Sequence, residues 1–484
     1  MLFNSWHYAV FLPIVFILYW ALPHRFRWLV LLAASYYFYM SWNARYVVLI
    51  LATTVVSYAS GLLLERNLPR RVKKFIVAAA AFIMLGILAI FKYFQFFFDS
   101  LNAIVSIFAL QLHPVTLKLL LPVGISFYTF QTLSYVIDVY RGDCPAEKNF
   151  GIYATFVSFF PQLVAGPIER TKNLLPQIRE EHSFDYHQGI YGAKLILWGL
   201  FKKMVVADNL SIWADTVFND IYAHEGSALL MAAFFFTLQI YCDFSGYSDI
   251  ARGSAKLLGI ELMENFRSPY FSSTIKEFWS RWHISLSTWF RDYVYIPLGG
   301  NRVRRGRHYL NLLLTFLASG LWHGANWTFV VWGGLHGILQ ITEDLLGLRP
   351  ADREKHFWRW AIRCILVFGF AALAWVFFRV QSFSEAAYFF HSMFVGLRHP
   401  LEYIYAGLRV FGITAKTVLL ILAVYILPLA AYDYFTVRSS RDAMLILDER
   451  TAPVVRWILC VLLAVLIILF CPKGVPAAFV YFQF

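Results

Sequence analysis

Apolar residues recur along this chain in long runs separated by short polar breaks. A helix needs about 20 such residues to cross a hydrocarbon core ~30 Å thick. Runs near that length fall at 6–22, 28–42, 46–64, 75–98, 117–138, 150–166, 188–207, 227–260, 309–342, 358–378, 414–436 and 454–472. Several are short or interrupted by Pro or Gly, so the pattern predicts an all-α polytopic membrane protein of about 11–12 transmembrane helices, with re-entrant and amphipathic interfacial helices among them.

The breaks carry the topology. Arg66-Asn-Leu-Pro-Arg70-Arg71-Val-Lys73-Lys74 and Asn301-Arg302-Val-Arg304-Arg305-Gly-Arg307-His308 are strongly basic, which places both on the cytoplasmic side. Counting back three runs from the first puts the N-terminus outside. An odd number of runs lies between the two loops, so at least one, such as the short 150–166, must be re-entrant. Segment 437–453, with Arg438 and Arg441 before it closes and Arg456 just beyond, is a weaker inside candidate that would deliver the C-terminus outside.

Composition agrees with this reading: 60% of the 484 residues are hydrophobic and only 15% are charged, too apolar a balance for a soluble globular chain. The net charge of +13 does not point to nucleic acid, because the basic residues sit in short loops where topogenic signals and lipid head groups account for them. Met1-Leu-Phe-Asn-Ser-Trp lacks a basic leader, so the first run is expected to stay as a span. Five cysteines (Cys144, Cys242, Cys364, Cys460, Cys471) form no CxxC or Cys/His metal spacing and predict neither a disulfide framework nor a metal site. No repeat and no low-complexity linker appears, so residues 1–484 are read as one membrane domain.

Two histidines stand out in tryptophan-rich surroundings. On a helical wheel, Ile275 to Tyr293 places Ile275, Phe278, Trp279, Trp282, Leu286, Trp289, Phe290 and Tyr293 on one face and the charged residues on the other. This predicts one amphipathic interfacial helix with His283 at the edge of its apolar stripe. The alternative for His283 is an interfacial histidine without a chemical task. The run 309–342 is too long for one straight crossing and short for two, so a break is expected at His323-Gly-Ala-Asn326. Broken helices persist in membranes where the freed backbone is buried in protein or lines a cavity, and an ionisable side chain at that depth is a functional candidate. A core histidine bonded to a backbone carbonyl is the bland alternative for His323, and it is the preferred reading for His336.

Tyr241-Cys-Asp243-Phe-Ser245-Gly-Tyr-Ser-Asp249-Ile-Ala-Arg252 puts two carboxylates and an arginine into an apolar run. Asp249 and Arg252 are spaced to pair along a helix, and a brace between spans is the simpler reading. Pro122-Val-Gly124 and Phe159-Phe-Pro161-Gln-Leu-Val-Ala-Gly166-Pro167-Ile-Glu169-Arg170 hold residues that kink spans or build re-entrant loops. Soluble catalytic signatures such as GxxxxGK[ST], HExxH and GxSxG are missing.

The strings Asp243-Phe-Ser-Gly-Tyr-Ser-Asp249, Glu264-Asn-Phe-Arg-Ser-Pro-Tyr270, Glu277-Phe-Trp-Ser-Arg-Trp282-His283-Ile-Ser-Leu-Ser-Thr-Trp289, Pro297-Leu-Gly-Gly-Asn-Arg302 and Gly320-Leu-Trp322-His323-Gly-Ala-Asn326-Trp327 resemble the membrane-bound O-acyltransferase family. Within it the chain is most similar to the bacterial alginate O-acetyltransferase branch, which also holds peptidoglycan O-acetylation proteins and, more distantly, the D-alanyl exporters of teichoic acid. The likeness runs from Asn4-Ser-Trp6 to Tyr481-Phe-Gln-Phe484, and Cys242 stands where the family pattern suggests Phe.

The resemblance implies transfer of an acyl group, in the first instance acetyl, from a cytosolic thioester through a central tunnel to an envelope polysaccharide. No cofactor is bound permanently in this scheme; the donor is acetyl-CoA or an acyl-carrier-protein thioester. His323 maps to the catalytic histidine, a general base on the acceptor hydroxyl, and His283 would position or polarise the thioester from the cytoplasmic side. Trp322, Asn326, Trp282, Asp243 and Ser245 are expected to line the tunnel, and Arg304 and Arg305 to attract the donor's phosphates. The ending Phe479-Val-Tyr481-Phe-Gln-Phe484 resembles the aromatic tail of the small partner in D-alanyl export, which makes the Tyr481 hydroxyl a candidate transient acyl acceptor. The implied setting is the bacterial inner membrane, with the bilayer and an extracytoplasmic SGNH-type acetyltransferase as partners and no nucleic acid. A transporter or channel, and a scaffold for a secreted transferase, are the rival readings.

Overall fold

The structure, a computed structural model, describes residues 1–108, 121–164, 166–439, 441–472 and 479–480. Helices carry the chain, and no strand occurs among the described residues. Among the described residues, six helical stretches are long and apolar enough to cross a membrane: His24–Glu65, Arg70–Ser106, Ser227–Leu257, Phe357–Arg379, Ala415–Ser439 and Pro453–Phe470. The protein is therefore an all-α multi-pass membrane protein, as the run pattern predicts. All five cysteines are free thiols.

Contacts divide the chain into two compact units, residues 1–193 with 251–263 and residues 194–250 with 264–484. In the first, helix α1 (Trp6–Ala21) starts where the Ser5 hydroxyl accepts the Tyr8 N–H. α2 (His24–Asn43) and α3 (Val47–Glu65) join through one 3-10 turn, and α4 (Arg70–Leu88) runs through a π turn into α5 (Phe94–Ser106). α6 (Ile125–Arg141) ends on Gly142, whose φ of 77° is the left-handed conformation glycine adopts without cost. α7 (Phe150–Ser158), α8 (Phe160–Leu163) and α9 (Thr171–Arg179) follow, the first begun by the Asn149 side chain on the Gly151 N–H. Short α7 and α8, split at Phe159 ahead of Pro161, replace a continuous span over 150–166.

α10 (Tyr186–Leu200) begins in the first unit and enters the second, where a π-helical stretch (Phe201–Ala207) leads into α11 (Asp208–Phe218). α12 (Ser227–Leu257) is one 31-residue helix. Gly199 and Gly246 face each other so closely that a Cβ on Gly199 would lie 2.5 Å from the Gly246 carbonyl oxygen. This approach lets lysines just past Gly199 reach carboxylates on α12. The chain continues with α13 (Ile275–Arg281), α14 (Ile284–Phe290), α15 (Arg305–His323), α16 (Trp327–Leu345), α17 (Phe357–Arg379), α18 (Phe383–Ser392) and α19 (Pro400–Val410). α20 (Ala415–Leu420) passes through a π stretch into α21 (Leu427–Ser439), and α22 (Ala443–Arg450) and α23 (Pro453–Phe470) close the helical part.

The run 309–342 breaks where expected: α15 ends on His323, Gly324 is extended, and Asn326 starts α16 by accepting the Thr328 N–H at 3.0 Å. The single amphipathic helix expected over 275–293 does not form. It is cut between α13 and α14 at Trp282 and His283, and its apolar stripe from Ile275 to Phe290 is buried in protein, with Tyr293 only partly so.

Candidate active site

His283 owes its position to a backbone outlier. It has φ 44° and ψ 54°, and Ser268 is the other non-glycine residue with positive φ among the described residues. Such a conformation costs on the order of 1–3 kcal/mol and persists only where the surroundings fix it. Here Asn265 fixes it: its backbone carbonyl accepts the Ile284 N–H at 2.9 Å, and its side-chain oxygen accepts the Ser285 hydroxyl at 2.6 Å. Thr274 begins α13 by accepting the Glu277 N–H, and Glu343 of α16 accepts the Ile275 and Lys276 N–H groups. Two short helices pinned at their starts thus aim the left-handed residue between them inward, and His283 is 0% exposed.

The imidazole of His283 stands at 89° to the Phe244 ring, 4.6 Å between centroids, and 5.9 Å from the indole of Trp322. Trp322 in turn lies 4.9 Å from His323, which is 2% exposed and also touches Trp332 at 5.1 Å and Phe378 at 5.0 Å. One indole is therefore flanked by both histidines. His283 thus lies beside the helix break at His323 and is closed to solvent.

His336 continues the array, 4.9 Å from Trp332, and its Nδ1 accepts the Trp279 indole N–H at 3.2 Å. That bond fixes Nε2 as the protonated nitrogen, and it suits a core histidine that helps to hold α13 on α16. Trp282 packs on Trp375 at 4.9 Å, and Trp375 on Trp332 at 5.3 Å. The indole nitrogens of Trp282, Trp332 and Trp375 are buried and have no protein acceptor. Buried donors of this kind are rare, and they are suited to a ligand's oxygen.

A second cluster adjoins the first through α12. Lys203 Nζ lies 2.6 Å from Asp243 Oδ1 and 2.8 Å from Asp208 Oδ1, and Lys202 Nζ lies 2.5 Å from Asp249 Oδ2. Asp433 accepts the Tyr241 hydroxyl at 3.0 Å and the Ser268 hydroxyl at 3.1 Å. Asp243 is thus an ion-pair member, Phe244 beside it touches His283, and the Ser245 hydroxyl is buried without a protein partner. The Asn326 amide donates to the Gln381 carbonyl at 2.9 Å. Arg304 and Arg305 are exposed at the opposite end of α15 from His323, about 27 Å along the helix axis. Tyr481 lies outside the described residues.

The sequence reading did not single out Glu343, Asn265, Trp279 or the lysines at 202 and 203 as parts of the site. A lysine pair inside the apolar run 188–207 was the available signal, since charges at such depth are paired or functional.

A sequence profile of the membrane-bound O-acyltransferase family matches residues 147–384, which include both helix breaks and both histidines. The chain is 43% identical over 387 residues to a probable alginate O-acetylase of Pseudomonas aeruginosa, covering 80% of this chain and 73% of that protein. It is 36% identical over 421 residues to a peptidoglycan O-acetyltransferase of Helicobacter pylori, covering 80% and 78%. A teichoic acid D-alanyltransferase of Streptococcus thermophilus is 27% identical over 316 residues, 58% of this chain and 75% of that protein.

Proposed function

The chain belongs to the membrane-bound O-acyltransferase family, and from that premise we propose that it carries acetyl groups from a cytosolic thioester to hydroxyls of an envelope polysaccharide outside the bacterial inner membrane. It is a membrane-bound O-acyltransferase; the donor, the crossing and the acceptor are the substance of the proposal. The observation that carries it is the flanking of Trp322 by His283 and His323, each at the end of a broken helix and each buried among aromatic rings. The relatives' acceptors, alginate and peptidoglycan, support an envelope polymer as the final acceptor here.

In this reading His323 takes the proton from the attacking hydroxyl while the thioester C–S bond breaks and an ester C–O bond forms, with the thiol leaving on the cytoplasmic side. His283, one indole away, orients the thioester carbonyl. The indole N–H groups of Trp282, Trp332 and Trp375 supply donors for oxygens of the passing acyl group, and Asn326 and Ser245 complete the polar lining. Arg304 and Arg305, at the far end of α15, attract the phosphates of coenzyme A or of a carrier's pantetheine. The Tyr481 hydroxyl is the first acceptor. Its aryl ester is a better acyl donor than a sugar ester, and an extracytoplasmic SGNH-type transferase moves the acetyl group on to the polymer.

Purified protein in nanodiscs, supplied with acetyl-CoA or an acetylated carrier protein, should release free thiol and become acetylated on the tail; His323→Asn should do neither. Substrate movement without thioester cleavage would establish a transporter instead. Full polymer acetylation in cells carrying His323→Asn would establish a scaffold.

A further inference from the structure

We infer that the buried ion group of Lys203, Asp208 and Asp243 is a latch for the C-terminal end of the chain, and that Asp243 is a positioning residue for the residues that follow. The Val480 N–H donates to Asp243 Oδ2 at 2.7 Å, across 237 residues of sequence. The other carboxylate oxygen of Asp243 faces Lys203 Nζ, which also serves Asp208. Two carboxylates converge on one ammonium in a place closed to water: Asp243 is 1% and Lys203 2% exposed. A peptide N–H aimed at the oxygen that the lysine leaves uncovered is the kind of donor such a group demands, and a charge-assisted bond of this sort is stronger than a neutral one.

Packing agrees with capture. Phe479 and Val480 are buried, and the Phe479 ring lies 4.7 Å from Tyr247 and 5.7 Å from Phe244. Phe244 is the ring against His283. The Tyr247 and Phe244 rings lie on α12, within four residues of Asp243. The latch therefore ties the chain one residue before Tyr481 to the wall of the histidine pocket. Because the acceptor reads a backbone N–H, the bond does not depend on the side chain at position 480. Its consequence for transfer rests on the proposed role of Tyr481; the capture itself does not.

Two variants cut the bond from opposite sides. Asp243→Ala removes the acceptor, and Val480→Pro removes the donor while leaving the ion group whole, so the second keeps the test valid if the first fails to fold. Hydrogen–deuterium exchange of the full-length protein in nanodiscs should show the Phe479 amide protected in the wild type and exchanging at least tenfold faster in both variants. The Val480 amide should behave likewise in Asp243→Ala. Transfer should fall at least tenfold in kcat, with KM for the thioester little changed, and the double variant should be no worse than Asp243→Ala alone, because that change already removes the acceptor of the Val480 N–H. Unchanged amide protection in Asp243→Ala, or losses that simply multiply in the double variant, would overturn the latch. Tyr481→Phe separates the two ideas: retained protection at 479–480 supports the latch whether transfer survives or not, and surviving transfer counts against the tyrosyl relay alone.

Discussion

Glu343 accepts the backbone N–H of Ile275 through both carboxylate oxygens, at 2.8 and 2.9 Å. The first N–H groups of a helix lack intrahelical partners, and a carboxylate at that end also meets the positive pole of the helix dipole. Seven residues earlier on α16, His336 takes the Trp279 indole, so α13 is laced to α16 at two points, about two turns apart on α16 and one turn apart on α13. These ties fix where α13 stops, and therefore where His283 turns inward.

Glu343→Ala should destabilise the protein by about 1–3 kcal/mol, the cost of leaving buried N–H groups unsatisfied, and should slow transfer as His283 loses its fixed position. Glu343→Gln, which keeps one acceptor, should fall between the two. Thermal unfolding in detergent checks this, and equal midpoints for wild type and alanine variant would show that the N-terminus of α13 is held by something else.

Adjacent glycines on α16 should differ sharply in their tolerance of the same substitution. A Cβ on Gly333 would lie 2.2 Å from the Phe316 carbonyl oxygen, and one on Gly320 would lie 2.3 Å from that of Phe329, so α15 and α16 touch backbone to backbone. Small residues permit such an approach between membrane helices. Gly333→Ala and Gly320→Ala should push the two helices apart and abolish transfer with a marked loss of thermal stability. Gly334→Ala meets only the flexible Leu317 Cδ2 at 3.5 Å and should stay near wild type in both. A Gly334 variant as damaged as the Gly333 variant would refute the close contact.

The two histidines should separate in kinetics. His323→Asn should remove the base and lower kcat by two or more orders of magnitude. His283→Asn should raise KM for the thioester more than it lowers kcat, as expected of a group that orients the donor. Single-turnover acetylation at saturating donor decides between them, and equal kcat losses with unchanged KM would give His283 a chemical role.

The break at His323 was legible because a run of about 34 apolar residues fits neither one crossing nor two, and His323-Gly324 followed by Asn326 offers a stop and a start. The break at His283 was not legible. Helical periodicity runs straight through Trp282 and His283, and what overrides it is tertiary: Asn265 and Glu343, each bonding a helix start distant in sequence. Asp249 is spaced for Arg252 along its own helix, yet Lys202, from another helix, is a partner at 2.5 Å. Periodicity reports which face of a helix is apolar; it does not report which neighbour supplies the counter-charge.

Glu169 offers a pH test in the first unit, outside the membrane-spanning helices. Its carboxylate is buried, accepting the Met263 N–H and the Asn173 amide at 2.6 Å, and burial pushes its pKa up to about 7, against the pull of those donors. In the unfolded chain a glutamate titrates near ~4.3. Between those values the folded state binds the proton and the unfolded state does not, so stability is highest below about pH 4.5 and falls as pH rises through about 7. The loss from this group is on the order of 3 kcal/mol across the whole window. Glu169→Gln keeps an acceptor for the Met263 N–H and cannot ionise, so its melting midpoint should lack this component. The expected result is a wild-type midpoint that drops relative to the glutamine variant between pH 5 and 8. Parallel midpoint curves would mean that Glu169 does not titrate in that range, and an opposite slope would mean that its charged form is the one the fold prefers.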